Sequence, residues 1–452
     1  MTVLHADAAL LPDGIAENVR LTLKNGHIEH IEPAAARTLT ATHVKGLLLP
    51  GMANVHSHSF QRAFAGLAEW DAAGADNFWT WREAMYRFAA KLRPETQYAV
   101  AKLLFVEMVK AGYTSVGEFH YLHNDGAGNA YAPPEAMALA IAEAAQDAGI
   151  ALVMLPTLYR TGGADGSAPS TRQEQFVKSL DTLLTIRAAL EGVPGIAKLG
   201  LALHSLRAVP RAEIEFAIAS VPPDAPIHIH AAEQLREVEE CLEHLKKRPV
   251  EFLLDEIGID ARWCLVHATH MTPEETSGLA RSGAVAGLCP STEANLGDGI
   301  FPLPAFLDAS GAIAIGGDSH VGIDPAEELR LAEYAQRLLS HRRNTVATVR
   351  EHHTAARLWH AAAKGGAKAL GLHAGVIEKG ARADFTVIGG DHAALAAREP
   401  KFCLDAYVFV AGREAVTNVM IGGEWRVRHG RHAVEDEARI AYRAAMEKVL
   451  ES

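Results

Sequence analysis

Four side chains that could hold one metal ion stand at separate places in the sequence: His56, His58, His230 and Asp318. His56 and His58 are two residues apart in an extended segment, so both imidazoles project to the same side of the chain. A His-x-His pair alone is weak evidence, since such pairs also occur on solvated strands. Three neutral nitrogens and one carboxylate suit Zn²⁺ or Fe²⁺ better than Mg²⁺ or Ca²⁺. The residue types therefore predict a zinc site, with iron or manganese as alternatives.

Two further residues could move protons beside such a metal, Glu233 and His267. A catalytic metal activates a water molecule, and a positioned acid or base must take up and deliver its protons. Taken singly, Glu233 would be interpreted as a salt-bridged surface carboxylate and His267 as a hydrogen-bonded core histidine. His228 competes with His230 as a ligand. The spacing of three residues from His230 to Glu233 favours His230, because it lets the carboxylate curl back toward the site.

These residues need a fold that brings separated strand ends together. The middle of the chain alternates short apolar runs with helix-like stretches, the pattern of βα units. In a (β/α)8 TIM barrel the reactive side chains lie at the C-terminal ends of the strands. The candidate residues fall at such ends, and a doubly wound open sheet is the alternative fold. The sequence predicts barrel strands over residues 47–55, 115–119, 152–158, 199–204, 227–230, 263–267, 284–289 and 312–317.

Both ends of the chain are predicted to be β-rich. Residues 21–31 alternate in polarity on either side of Asn25-Gly26, a strong hairpin signal because both turn positions need positive φ. Near the C-terminus, residues 384–388 read as a strand and residues 419–427 as a hairpin over Gly422-Gly423. We therefore expect a small composite β-sandwich built from residues 1–48 and 375–452, with a terminal helix, around a catalytic barrel over residues 49–374.

The bulk composition narrows the class of protein. A net charge of −12 and a pI near 6.0 give no sign of a nucleic-acid partner. The N-terminal residues lack the basic start of a signal peptide, and no window approaches 18 uninterrupted apolar residues. The four cysteines form no Cys-x-x-Cys pair and read as reduced thiols. The expectation is a cytoplasmic protein without a membrane partner.

Two motifs stand near the two ends of the predicted barrel, Leu49-Pro-Gly-Met-Ala-Asn-Val-His56-Ser-His58 and Gly380-Ala-Arg-Ala-Asp384-Phe. The first is similar to the first barrel strand of the amidohydrolase superfamily and the second to a strand of its C-terminal sandwich, and the sequence resembles this superfamily over nearly its whole length. Binuclear members carry a lysine at the end of strand four, where this sequence has His204. That departure implies one metal ion per subunit. The His-x-x-Glu of strand five and the histidine of strand six are similar to the deaminase branch.

Five longer strings are more specific: His58-Ser-Phe-Gln61-Arg62-Ala-Phe-Ala-Gly66, Phe78-Trp-Thr-Trp-Arg82-Glu, Glu118-Phe-His-Tyr121, His204-Ser-Leu-Arg207-Ala-Val and Leu288-Cys-Pro-Ser-Thr-Glu-Ala-Asn-Leu-Gly-Asp298-Gly. These strings resemble one family of that branch, the formimidoylglutamate deiminases. The resemblance implies hydrolysis of N-formimino-L-glutamate to N-formyl-L-glutamate and ammonia, in histidine degradation, by a homodimer.

The implied substrate is a small dicarboxylate, so an acidic protein needs fixed cations in its pocket. Arg207 and His204 are expected to hold one carboxylate, since arginine can form a bidentate pair. Arg82, Gln61 and Tyr121 are expected to hold the other. Without the resemblance, Arg82 would be interpreted as a surface arginine packed among aromatic residues. Those aromatic residues are either simple packing or a lid over the pocket.

The implied mechanism is attack of a metal-activated water on the formimidoyl carbon. His267 and Asp318 are expected to orient the water and help deprotonate it, and Glu233 to pass a proton to the departing ammonia. One alternative is a related aminohydrolase acting on guanine, cytosine or S-adenosylhomocysteine, whose pocket would need a stacking face for a ring. A catalytically dead scaffold is disfavoured, because the chain keeps all four candidate ligands and both acid/base residues.

Overall fold

A computed structural model describes residues 1–70 and 77–451 of the chain. It contains two β-sheets, one closed into a barrel and one built from the two ends of the chain. The described residues form these strands, in chain order: β1 Thr2–Leu11, β2 Gly14–Lys24, β3 His27–Glu32, β4 Thr42–Pro50, β5 Met52–Ser57, β6 Tyr113–His120, β7 Ala151–Leu158, β8 Ile196–Leu199, β9 Leu201–Ser205, β10 Ile227–Ala231, β11 Trp263–His267, β12 Val285–Leu288, β13 Ala312–Ile315, β14 Phe385–Ile388, β15 Val416–Ile421, β16 Glu424–Arg428 and β17 Arg431–His432.

Helices alternate with the barrel strands and surround them. The α-helices of the described chain are α1 Phe78–Ala89, α2 Pro94–Ala111, α3 Ala136–Ala148, α4 Leu180–Ala189, α5 Arg211–Ala219, α6 Leu235–Leu245, α7 Pro249–Phe252, α8 Pro273–Ser282, α9 Pro290–Leu296, α10 Leu303–Asp308, α11 Pro325–Ser340, α12 Thr354–Ala369, α13 Pro400–Ala406 and α14 Glu435–Glu451. Short 3-10 helices cover Ser59–Ala63 and Gly412–Ala415, and π-helices cover Leu253–Ile257 and Tyr407–Ala411. Over the described ranges, no helix is both long enough and apolar enough to cross a membrane.

The barrel is closed and parallel, as predicted. Its strands follow the order β6-β5-β13-β12-β11-β10-β9-β7, and β6 also pairs with β7, which completes the circle. The doubly wound alternative is therefore wrong, because an open sheet would leave β6 and β7 as separate edges. Strands β5, β6, β7, β10 and β11 are buried along their whole length. Burial on both faces explains the largely apolar sequences of β7 and β11.

Two of the predicted barrel strands are each divided into two. The run 47–55 splits at Pro50-Gly51: β4 ends at Pro50 in the terminal sheet, and β5 begins at Met52 in the barrel. Proline has no N–H to continue a ladder, and the Gly51 N–H donates to the Asp384 carbonyl instead. The run 199–204 is interrupted at Gly200, where a side chain would meet the Pro226 carbonyl oxygen at 2.6 Å. The predicted continuity was wrong in both places.

The terminal sheet joins the two ends of the chain. It has eight strands in the order β17-β16-β15-β14-β4-β1-β2-β3. The hairpin predicted over Asn25-Gly26 is confirmed, with φ of 50° and 78° at the two turn residues, and the hairpin over Gly422-Gly423 is confirmed as well. The predicted terminal helix is α14. The exact domain limits, 1–48, 49–374 and 375–452, stay predictions.

Candidate active site

Three histidines and one aspartate converge at the C-terminal mouth of the barrel. The Nε2 atoms of His56 and His230 lie 3.0 Å apart, and Asp318 Oδ1 lies 3.4 Å from Nε2 of both His56 and His58. Ligand atoms on a tetrahedral zinc ion are separated by about 3.4 Å, given metal–nitrogen bonds of about 2.0–2.1 Å. The separations and the donor types thus fit one zinc-sized divalent ion. His56, His58 and His230 also form one of the groups of described residues able to hold a metal.

Hydrogen bonds to backbone carbonyls hold two of these imidazoles by Nδ1, so that their Nε2 atoms face the cluster. His58 Nδ1–H donates to the Phe119 carbonyl at 2.9 Å, and His230 Nδ1–H donates to the His204 carbonyl at 2.8 Å. Each ring is thereby held in the tautomer whose Nε2 carries a lone pair. Burial lowers the pKa of His58 to about 3 and holds the pKa values of His56 and His230 well below the ordinary value. All three rings are neutral at pH 7, the form that binds a metal.

Backbone contacts between the first and last barrel strands bring His56 and His58 next to Asp318. The Asp318 N–H donates to the His56 carbonyl at 2.9 Å, and the His58 N–H donates to the Asp318 carbonyl at 3.2 Å. Asn54 Oδ1 accepts the N–H groups of His56, on β5, and of Gly317, just after β13. Asp318 has φ of 50° and His267 has φ of 69°, conformations that non-glycine residues rarely adopt. Such backbone strain concentrates at functional sites.

Two titratable residues face the histidine cluster, Glu233 and His267. His267 Nε2 lies 3.7 Å from Glu233 Oε1 and 3.8 Å from Asp318 Oδ2. Burial raises the pKa of Glu233 to about 7, near the range in which a carboxyl group exchanges protons efficiently. Burial disfavours the charged form of His267, but Glu233, Glu293 and Asp318 outweigh it and raise the pKa of His267 to about 10. Glu293 Oε1 lies 3.3 Å from the other ring nitrogen, Nδ1.

The residues predicted to bind substrate line the same cavity as the metal cluster. Gln61 Nε2 donates to the Tyr121 hydroxyl at 3.0 Å, and the His204 ring lies 5.5 Å from the Tyr121 ring. Helix α1 contributes much of one wall, and its aromatic residues Phe78, Trp81 and Tyr86 line the pocket. Lining residues of this cavity include His58, Gln61, Phe78, Trp81, Arg82, Met85, Tyr86, Tyr121, His204, Arg207, His230, Glu233, His267, Leu296 and Asp318.

Two guanidinium groups in this cavity lack acidic partners. Within residues 1–70 and 77–451, neither Arg82 nor Arg207 has a carboxylate within 4.0 Å, and the Nε of each is buried without a hydrogen bond. Both stack near the Trp79 ring, at 4.5 Å and 5.5 Å from its centroid. Burial lowers the pKa of Arg207, but the charges of Glu237 and Glu233, which lie nearby without contacting it, outweigh that effect and raise the pKa. The guanidinium group therefore stays charged. Together the two arginines form a cationic surface suited to an anionic ligand.

His228, the competing ligand, lies elsewhere. It is fully buried, and its Nε2 hydrogen bonds to the Ala369 carbonyl at 2.9 Å. Because the period of a strand is two residues, His228 and His230 share the barrel interior, but His228 is one step deeper. This placement agrees with its interpretation as a packed barrel histidine.

The sequence reasoning assigned no role to three buried carboxyl groups around the site: Glu118, Glu293 and Asp298. Glu118 accepts hydrogen bonds from the residues on either side of His58. Asp298 accepts from the Gln234 amide, and burial together with the charge of Glu233 raises the pKa of Asp298 to about 9. All three lie in strings that carry the family resemblance. A carboxylate inside the strand predicted over residues 115–119 was a further signal for Glu118.

Comparisons with known proteins agree with the geometry. A model described as the amidohydrolase family matches residues 47–426, and one described as formimidoylglutamate deiminase HutF, N-terminal domain, matches residues 1–38. A formimidoylglutamate deiminase from Pseudomonas aeruginosa is 45% identical over the full length of both chains. A 5-methylthioadenosine/S-adenosylhomocysteine deaminase from Natronomonas pharaonis is 29% identical, over 89% of this chain and 86% of the relative.

Solved structures share the same architecture. An amidohydrolase from Brucella melitensis superposes with a TM-score of 0.94 and 44% identity over all of both chains. An adenosine deaminase from Xanthomonas campestris with bound zinc has a TM-score of 0.81 and 22% identity, over 100% of this chain and 99% of the other. At 22% identity, the similarity to the adenosine deaminase shows only that the fold is shared.

Proposed function

The chain belongs to the amidohydrolase family, and on that premise we propose that it hydrolyses N-formimino-L-glutamate to N-formyl-L-glutamate and ammonia. The main evidence for this substrate is that Arg82 and Arg207, in the cavity that also contains the histidine cluster, have no carboxylate partner among the described residues. A substrate with two carboxylates supplies the anionic partners that these cations lack. Gln61, Tyr121 and His204 complete its binding surface.

His56, His58, His230 and Asp318 would hold the metal, and zinc is the ion proposed, with Fe²⁺ or Mn²⁺ as alternatives. When bound, a divalent ion supplies Lewis acidity that lowers the pKa of a coordinated water toward neutrality. The neutral imidazoles and the spacing of their nitrogens support this assignment. A homodimer, a cytoplasmic location and a place in histidine degradation stay predictions from the family.

The protein's own groups would manage the protons of the reaction. Water adds its oxygen to the formimidoyl carbon, the carbon–nitrogen bond to the terminal nitrogen breaks, and both water protons end on that nitrogen, which leaves as ammonia. Glu233, whose pKa of about 7 permits exchange in either direction, carries protons toward the leaving nitrogen. His267 lies within 3.8 Å of both Glu233 and Asp318 and orients the attacking water with Asp318.

The alternative, deamination of a neutral ring, is less well supported. A nucleobase brings no carboxylates to contact Arg82 and Arg207, and leaving the buried Arg207 without a contacting anion would cost several kcal/mol, on the order of the truncation cost of a buried charge pair. The adenosine-derivative deaminase relative is also less similar than the formimidoylglutamate deiminase, at 29% against 45% identity.

The test is ammonia release by the zinc-loaded protein from N-formimino-L-glutamate, guanine and cytosine at equal concentrations. We expect turnover of the first alone, with N-formyl-L-glutamate formed in equal amount to ammonia. Turnover of guanine or cytosine with none of N-formimino-L-glutamate would overturn the proposal. The same protein stripped of metal with a chelator serves as the control and should release no ammonia.

A further inference from the structure

A buried carboxylate on β6 holds the chain on both sides of His58. Ser57 Oγ–H donates to Glu118 Oε2 at 2.5 Å, and the N–H and Oγ–H of Ser59 donate to Oε1 at 2.8 Å and 2.6 Å. Glu118 is only 1% exposed, and no basic side chain of the described residues lies within 4.0 Å of it. Its side-chain hydrogen bonds thus come from two residues, and these two flank one candidate metal ligand.

The next residue along β6 contacts the same histidine from the other side. The Phe119 carbonyl accepts from His58 Nδ1–H, and the Phe119 ring lies 5.3 Å from the His58 ring inside the barrel. Successive side chains of a strand point to opposite faces, so Glu118 lies outside the barrel wall. There Gln97 of α2 donates to Ser59 Oγ at 2.8 Å. Glu118 is therefore separated from the metal cluster and acts on it only through the chain.

The same network reaches the last barrel strand. The single hydroxyl proton of Ser57 is donated to Glu118, so the contact of 2.9 Å between Ser57 Oγ and His320 Nε2 has the histidine as donor. His320 is fully buried and lies two residues after Asp318. Glu118 thus orders a hydrogen-bond chain that connects the segment carrying His58 with the segment carrying Asp318.

We propose that Glu118 is a positioning residue of the metal site, which fixes His58 by binding Ser57 and Ser59. This inference rests on the proposed metal-dependent function. Residues that hold a metal ligand in place through hydrogen bonds set its orientation. Loss of such a residue typically weakens metal affinity about 10- to 100-fold. Replacing Glu118 with glutamine keeps the shape but turns one acceptor into a donor, which faces the hydroxyl of Ser57.

The experiment measures the Zn²⁺ dissociation constant of the purified full chain by competition with a chromophoric chelator. We expect Glu118→Gln to bind Zn²⁺ about 10- to 100-fold more weakly than the wild type. Glu328→Gln is the matched control. Glu328 is also buried and accepts the N–H and Oγ–H of one serine, Ser291, at 2.9 Å and 2.5 Å, but Ser291 is not adjacent to any candidate metal ligand. Its Zn²⁺ affinity should equal that of the wild type.

The outcomes separate this inference from the proposed function. A wild type that binds none of Zn²⁺, Fe²⁺ and Mn²⁺ contradicts the metal-dependent function itself. A wild type that binds Zn²⁺ while Glu118→Gln binds it equally well overturns the positioning role. If Glu118→Gln does not fold, as judged by circular dichroism, Ser57→Ala and Ser59→Ala replace it, with Ser291→Ala as control. Unchanged affinity in both variants would then overturn the inference.

Turnover at saturating Zn²⁺ is a second measurement, which distinguishes a positioning role from a general structural role. Because Glu118 does not touch the substrate cavity, saturating Zn²⁺ should restore most of the kcat of Glu118→Gln. A kcat that stays low at saturating Zn²⁺, with wild-type metal affinity, would contradict the proposal.

Discussion

Replacing Arg207 with methionine should remove one of the two contacts that the substrate carboxylates make. Methionine keeps the length of the aliphatic stem but has no charge. Arg207 is 8% exposed, its Nε is buried without a hydrogen bond, and no described carboxylate lies within 4.0 Å of it. Its charge-assisted bonds are therefore available to the ligand. Truncating one partner of a buried charge pair costs about 2–5 kcal/mol, which corresponds to a loss of about 30- to 5,000-fold in kcat/KM.

The assay is a double-mutant cycle between the arginine and the substrate. The kcat/KM of the wild type and Arg207→Met is measured with N-formimino-L-glutamate and with two analogues, N-formimino-4-aminobutanoate and N-formimino-2-aminobutanoate, which each lack one carboxylate. Against the analogue that lacks the partner carboxylate, the mutation should have little effect. With the other analogue the loss should match that seen with the full substrate. The same cycle with Arg82→Met should give the opposite assignment.

Arg236→Met is the matched control, because Arg236 also stacks on Trp79, at 4.3 Å from the ring centroid. Its side chain is 59% exposed and paired with Glu240 at 2.9 Å. Exposed contacts of this kind are worth about 0.5–1 kcal/mol, so kcat/KM should change less than about fivefold. If Arg207→Met proves as mild as this control, or if its effect is the same with all three substrates, Arg207 does not bind a carboxylate.

Three other changes test the chemistry and the fold. Glu233→Gln should keep its metal, measured by elemental analysis, but lose about 10²- to 10⁴-fold in turnover; near-normal turnover would remove Glu233 from the mechanism. Burial raises the pKa of Glu328 from 4.5 to about 8, so the folded chain holds a proton that the unfolded chain releases, and stability falls as pH rises through that window. Glu328→Gln has no such proton to lose, so it should lose less stability than the wild type between pH 4.5 and 8, in urea melts; a difference between the two proteins that does not change with pH would contradict this account. Gly365→Ala would place a Cβ 1.9 Å from the Ile313 carbonyl oxygen and should cost at least about 1–3 kcal/mol, whereas Gly390→Ala, with open space around it, should leave the melting temperature unchanged.

Much of the architecture could be predicted because local signals and the fold agree. Asn25-Gly26 specifies its own turn through positive φ, and the rule that reactive groups lie at the C-terminal strand ends linked residues as distant as His58 and Asp318. The division at Pro50-Gly51 was not predicted, since one apolar run supplies both sheets without a change in polarity. Only the position of the partner strands determines where that run leaves one sheet for the other.

The buried carboxyl groups were missed for a different reason. Glutamate is almost never buried in proteins, so an isolated sequence position favours the surface interpretation. Glu118 is buried because Ser57 and Ser59 donate hydrogen bonds to it, and these partners are about sixty residues away in the chain. Glu293 likewise becomes interpretable only once His267 is placed beside it, at 3.3 Å. Pairing of this kind depends on tertiary contacts, which no local spacing encodes.

The same dependence on distant contacts ties the metal site to closure of the barrel. Asn54 Oδ1 accepts from both His56 and Gly317, so one side chain connects the first barrel strand with the segment that follows the last. The contacts of His56 and His58 with Asp318 form only when those two strands are neighbours. A partly closed barrel would keep the His-x-His pair but lack the carboxylate that balances the charge of the ion. A divalent ion bound by all four groups should therefore favour the closed barrel over open forms, because only the closed form presents the full set of ligands.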